Sequence, residues 1–265
     1  MPSSLPGAAL MALIVFLSFA PRPGITELRD ASATERRLVH LELVLAVDSS
    51  SSVTDDEFVL QMEGIAGAFE DPAVLQAIEE TAPNGIAVSL LQWSSQRAQA
   101  VALDWTHVTS AEDALAVARQ VRRSGRLIGG GATSMSTALA QATLALESNA
   151  YHGERRVIDV SGDGRANEGE SPAVARAIAN QAGITINGLA ILNEEPDLTA
   201  YYQAWVVGGP GSFLLTADDF TDFAVSMKRK LYFEIVGPAI AHSPADDFDG
   251  AQPDATAQVD TQRLR

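Results

Sequence analysis

The chain has 265 residues, 46% of them hydrophobic, enough for one good-sized core. Its formal charge of -16 argues against nucleic acid or anionic lipid as a partner, and lysine is confined to Lys228 and Lys230. With no cysteine, disulfides, thiolate catalysis and zinc-thiolate sites are excluded, and the four histidines (His40, His107, His152, His242) are scattered without metal-ligand spacing.

Residues 1–20 carry no ionisable side chain. The apolar stretch from Gly7 to Ala20 is shorter than a comfortable membrane span of about 20 residues and reads as the core of a secretory signal. Its start lacks Lys or Arg, and Pro21 follows the obvious Ser18-Phe19-Ala20 cleavage site. A buried N-terminal helix and a retained membrane anchor are the other readings, and only with the anchor would a membrane be a partner. Periplasmic or secreted localisation follows. Residues 21–38 read as a linker, and 39–237 as the folded domain.

Within that domain strand-like and helix-like segments alternate, the pattern of a doubly wound, mostly parallel α/β sheet with helices on both faces. Leu41–Val47 is an apolar run of the buried parallel type. A helix over Asp55–Phe69 follows, with Phe58, Met62, Ile65 and Phe69 at helical spacing, then a short helix over Ala73–Glu80 after the Asp71-Pro72 break. Ile86–Trp93 is a strand, and Gln99–Leu103 pairs with it as an antiparallel edge. Helices are expected at Ser110–Arg122, Met135–Glu147 and Ser171–Ala182, and strands at Arg156–Val160, Ile184–Leu192 and Ser212–Leu215. A closing helix spans Asp219–Tyr232. The 238–265 tail, rich in Asp, Ala, Gln and Pro without periodicity, is expected to be disordered.

Three loops carry chemistry. Asp48-Ser49-Ser50-Ser51-Ser52 sits where the first strand turns towards a helix opened by Thr54-Asp55-Asp56-Glu57. Gly129-Gly130-Gly131-Ala132-Thr133-Ser134 leads into the helix at Met135, and Ser161-Gly162-Asp163-Gly164 ends a strand. In open α/β sheets ligands bind at the carboxyl edge, and an oxygen-only set of this kind suits a hard cation such as Mg²⁺. Two carboxylates and three neutral hydroxyls neutralise a divalent ion yet leave it electron-poor. A partner's Asp or Glu would then replace one of its waters. The plain alternative is a set of helix caps and turn residues.

Asp-x-Ser-x-Ser after an apolar strand, a glycine loop with threonine before a helix, and a strand ending in Asp-Gly together resemble a von Willebrand factor A domain over Leu41 to Gly237. Within that superfamily the chain resembles an exported proteobacterial group of unknown function. The resemblance implies a metal-ion-dependent adhesion site holding Mg²⁺ (or Mn²⁺). Ser50 and Ser52 would be direct ligands, Asp48 would lie behind them, and Thr133 and Asp163 would match the family's threonine and second acid. It implies no catalysis, an unknown protein partner that presents an acidic side chain, and movement of the closing helix on binding. Here Ser-Gly-Asp-Gly stands where the family has Thr-Asp-Gly, a departure that shifts Asp163 within its turn. Thr133 is the only threonine in its loop.

Other chemistries fit less well. A haloacid-dehalogenase-like phosphatase would use Asp48 as nucleophile, with Gly162-Asp163-Gly164 and Asn167 as its metal loop. That enzyme needs a second aspartate at position 50, where this chain has Ser50, and a basic group for phosphate; no lysine precedes Lys228, and Arg155 and Arg156 would have to substitute from an unpromising place. The glycine loop lacks the Gly-Lys-Ser/Thr of a P-loop, and no serine sits in Gly-x-Ser-x-Gly. Trp93 is expected as a half-buried core residue near the site. Arg119, Arg122, Arg123 and Arg126 read as a solvated helix end.

Overall fold

The computed structural model describes residues 36–237. The leader over 1–20, most of the linker over 21–38 and the tail over 238–265 lie outside the described residues. Strand β1 (Arg37–Asp48) is followed by helices α1 (Asp55–Ala68) and α2 (Pro72–Glu80), then by strands β2 (Ile86–Trp93) and β3 (Gln99–Val108). Helices α3 (Ala111–Ser124) and α4 (Met135–Ser148) lead to β4 (Tyr151–Gly162), α5 (Pro172–Gln181) and β5 (Thr185–Ile191). The chain closes with α6 (Leu198–Tyr201), which runs into a π-helical turn (Tyr202–Val206), then β6 (Leu214–Ala217) and α7 (Phe223–Val236).

The six strands form one sheet in the order β3-β2-β1-β4-β5-β6. All neighbours are parallel except β2 and β3. The doubly wound α/β class and its antiparallel edge are thus as expected. Strand alternation divides the core. Leu41, Leu43, Leu45 and Val47 of β1 face Phe58 and Ile65 of α1, Val117 of α3 and Phe223 and Leu231 of α7. Val44 and Ala46 face Met135 and Leu139 of α4, Ala179 of α5 and Tyr202. Burying one such Leu or Phe contributes about 1.5–3 kcal/mol, so the central strand is held firmly from both sides.

Local signals set most helix starts. Thr54 and Glu57 form a reciprocal capping box on α1, Asp71 caps α2 ahead of Pro72, and Ser171 caps α5 ahead of Pro172. The closing helix begins four residues later than the sequence suggests. Asp219 does not enter it, because its carboxylate accepts from Thr221 N, Thr221 Oγ1 and Asp222 N and locks a turn instead. Strands β3 and β4 are longer than expected. Most of the added residues, 104–107 of β3 and 151–155 of β4, are partly or fully exposed, and they gain order from pairing with β2 and β1 rather than from burial.

Candidate metal centre

The order of the sheet reverses direction of travel between β1 and β4, which makes their carboxyl ends the switch point where such folds bind ligands. Asp48 is the last residue of β1, and Asp163 directly follows β4, whose Ser161 is in register with Val47. The glycine inserted before Asp163 is absorbed as the final strand residue, Gly162.

Both carboxylates are fully buried. Asp48 Oδ1 accepts from Ser50 N at 2.7 Å, Ser50 Oγ lies 3.1 Å from Ser52 Oγ, and Ser52 Oγ donates to Asp163 Oδ1 at 2.7 Å. Four of the five candidate residues therefore form one hydrogen-bonded run. Thr133 stands outside that run, and its backbone is held by Asn167: its N donates to Asn167 Oδ1 at 2.8 Å, and its carbonyl accepts from Asn167 N at 3.0 Å. Two positions earlier, Gly131 N donates to Ser51 Oγ at 2.7 Å while Ser51 N donates to Gly131 O at 3.0 Å. Gly131 has φ of 112°, and a Cβ there would come within 3.2 Å of the Ser94 hydroxyl, so the close approach of this loop requires glycine.

The residues fit a hard divalent cation. Asp48 Oδ2 and Asp163 Oδ2 are both buried without a hydrogen-bond partner, a costly state for ionised oxygens. Burial, and then the Asp163 charge, push the Asp48 carboxyl up from 3.8 to about 7. Burial also raises Asp163, against the hydrogen bond from Ser52 that lowers it. A cation between them would remove both penalties. No cluster of three or more His, Cys, Asp or Glu among the described residues is arranged to hold a metal, so any ion here takes hydroxyl oxygens as well.

Several supporting residues were not legible from the sequence. Arg126 is no solvated helix end. Its guanidinium donates to Ser49 Oγ, Ser49 O and Ser50 O, each at 3.0 Å, and to Asp55 at 2.7 Å, over the Phe58 ring. Arg122 pairs with Glu63 and Glu70. The only hint was that Arg126 precedes the glycine loop. Trp93 is fully buried rather than half-buried. We expect Arg126→Ala to cost about 2 kcal/mol, since it removes several charge-assisted bonds. Amide exchange at residues 49–53 should accelerate at least tenfold. Unchanged exchange there would show that the arginine does not hold the loop.

Residues 38–239 match the family described as "Protein of unknown function (DUF1194)". A search of curated proteins returned no match. Among solved structures, proximal thread matrix protein 1 from the mussel byssus shares 15% identity at a TM-score of 0.56, over 76% of this chain and 49% of that one. The chain thus spans about half the length of the byssus protein. The vWF domain of the type V pili tip protein Mfa5 from Porphyromonas gingivalis shares 12% identity at a TM-score of 0.53, over 75% of this chain and 96% of that one. The conserved hypothetical protein BatB from Bacteroides thetaiotaomicron shares 15% identity at a TM-score of 0.51, over 75% and 98%. At such identities the likeness is one of fold. The chain belongs to the DUF1194 family and carries it on a von Willebrand factor A fold.

Proposed function

We propose that this protein is an exported, metal-dependent protein-binding module. Asp48, Ser50, Ser52, Thr133 and Asp163 hold Mg²⁺ or Mn²⁺, and an Asp or Glu side chain of a partner protein completes the shell. The observation that carries this reading is the pair of buried carboxylates at the β1/β4 switch point, each with an oxygen lacking any partner. A bound ion would supply the positive charge that the pair lacks and a position open to an incoming carboxylate. The chain's own part is to neutralise that ion with Asp48 and Asp163, add neutral oxygens from serine and threonine, and hold the loops through Arg126 and Asn167.

Adhesion or assembly is supported by two neighbours in fold, a byssus matrix protein and a pilus tip protein. Export is supported by the apolar Gly7–Ala20 stretch, with 1–20 as leader, 39–237 as binding domain and 238–265 as tail. No helix among the described residues is long and apolar enough to cross a membrane. Against the phosphatase reading, Arg155 and Arg156 lie in the first half of β4, away from Asp48. Arg155 donates to the carbonyls of Glu234 and Ile235, and Arg156 to that of Ala182.

Titration calorimetry of the full chain, stripped with EDTA, tests the reading. One saturable Mg²⁺ or Mn²⁺ site is expected, weakened at least tenfold in Ser52→Ala and absent in Asp163→Ala. In parallel, p-nitrophenyl phosphate should be hydrolysed no faster than by Asp48→Ala. Turnover that depends on Asp48 would install the phosphatase reading instead.

A further inference from the structure

The segment after β5 carries no motif, yet it sends one side chain towards the site. Tyr202 opens the π-helical turn and is fully buried. Such turns are rare and recur at functional sites. Two glycines on neighbouring strands admit its ring. A Cβ on Gly188 of β5 would sit 2.8 Å from Tyr202 Cδ1, and a Cβ on Gly162 of β4 would sit 3.0 Å from the phenol oxygen. The same Gly162 Cβ would lie 2.8 Å from Asp48 Oδ2. The phenol and the unpartnered carboxylate oxygen thus face each other across the space that glycine leaves empty.

The hydroxyl is poorly used where it stands. It donates to Gly162 O at 3.4 Å, beyond the 2.5–3.0 Å range of a good O–H···O bond. A phenylalanine would fill the slot equally well, so packing alone does not account for the hydroxyl.

We propose that Tyr202 is a positioning residue for the metal site: on binding of the ion its phenol, brought over Gly188 and Gly162, turns from its weak bond to Gly162 O to donate to Asp48 Oδ2 and fixes that carboxylate. This rests on the metal-binding reading above. That hydrogen bond would hold one Asp48 oxygen at a set angle, as outer-shell partners do for ligating carboxylates elsewhere, where their loss weakens metal binding about 10–100-fold. Gly162, the residue that departs from the family pattern, is then required for the same purpose.

The test compares wild type, Tyr202→Phe, Tyr201→Phe and Gly162→Ala as full chains, titrated with MgCl₂ after EDTA treatment. Tyr202→Phe is expected to bind Mg²⁺ about tenfold or more weakly, and Gly162→Ala likewise, with Tyr201→Phe unchanged. Melting of Tyr202→Phe in EDTA should match wild type within about 2 °C, since the lost bond is a weak one. A near-ultraviolet tyrosine difference band on adding Mg²⁺ should appear in wild type and Tyr201→Phe and vanish in Tyr202→Phe, which a packing role would not produce. Wild-type binding with equal affinity in Tyr202→Phe overturns the positioning role and leaves the metal site standing. No Mg²⁺ binding by wild type overturns both.

Discussion

Replacing Lys230 with methionine is expected to destabilise the protein by about 3–5 kcal/mol, the loss typical of a broken buried ion pair. Lys230 lies on α7 with no exposed surface, its Nζ 2.9 Å from Asp159 Oδ1 of β4 and 2.8 Å from Glu234 Oε1. Both acids are almost wholly buried. Asn187 of β5 donates to both oxygens of Glu234, and the ammonium lies over the Phe213 ring. Methionine preserves volume but leaves two carboxylates in the core without a counter-charge. At about 2–4 °C per kcal/mol for a domain of this size, the melting point should fall on the order of 10 °C.

The pH dependence sharpens this test. Burial raises Asp159 to about 6, against the attraction of Lys230, while its two acidic neighbours hold the Lys230 ammonium above its ordinary value despite burial. An acid whose folded pKa exceeds its unfolded value stabilises the fold when protonated, and that contribution fades as pH rises from about 4 through 6. Without the attraction of Lys230, Asp159 should hold its proton to higher pH still. The deficit of Lys230→Met should therefore be larger at pH 8 than at pH 5. A deficit below 1 kcal/mol at pH 8 would show that the triad does not anchor α7. The anchor also bears on the helix movement that the family resemblance implies, because any travel of α7 along β4 and β5 would have to part Lys230 from Asp159.

What the sequence made legible, and what it hid, follows from the range of the interactions. The Asp48–Ser52 loop could be read because one strand end, one cap and alternate hydroxyls lie within seven residues, Asp48 to Thr54. Capping by Thr54 and Ser171 is local for the same reason. Lys230 and Glu234 are spaced i,i+4, which in sequence looks like an ordinary exposed helix pair. Only Asp159, inside an apolar run of a distant strand, makes that pair a buried triad. Tyr202 is hidden likewise, since Gly162 and Gly188 form a slot only when β4 and β5 are in register, Gly188 beside Val160. The π-helical turn has no periodic signature at all. Arg126 looked like one of four arginines at a helix end, and its role emerged from the path of the β1–α1 loop around it.

Asp48→Asn is expected to have opposite effects with and without metal. In the metal-free protein at pH 8, Asp48 is ionised at a fully buried position beside Asp163. Its carboxyl is raised from 3.8 to about 7, so the fold is most stable while Asp48 is protonated and loses that contribution as pH climbs through 7. At about 1.4 kcal/mol per pKa unit, the penalty is on the order of 4 kcal/mol. Asparagine escapes it and still offers Oδ1 to Ser50 N, the one hydrogen bond that the Asp48 carboxylate makes. In EDTA at pH 8 the variant should therefore melt higher than wild type, roughly by 10 °C, with the gap closing towards pH 5. Adding Mg²⁺ should reverse the ranking by acting on one protein only. Wild type should gain about 5.4 kcal/mol at a ten-thousandfold excess over Kd, more than its deficit of about 4 kcal/mol, whereas the variant, stripped of one charged ligand, should not respond. An Asp48→Asn protein that melts lower in EDTA and still rises with Mg²⁺ would mean that Asp48 is a turn residue, and the metal centre would have to be sought elsewhere. The crossing of the two melting curves separates a carboxylate buried to meet a cation from one that only caps a loop.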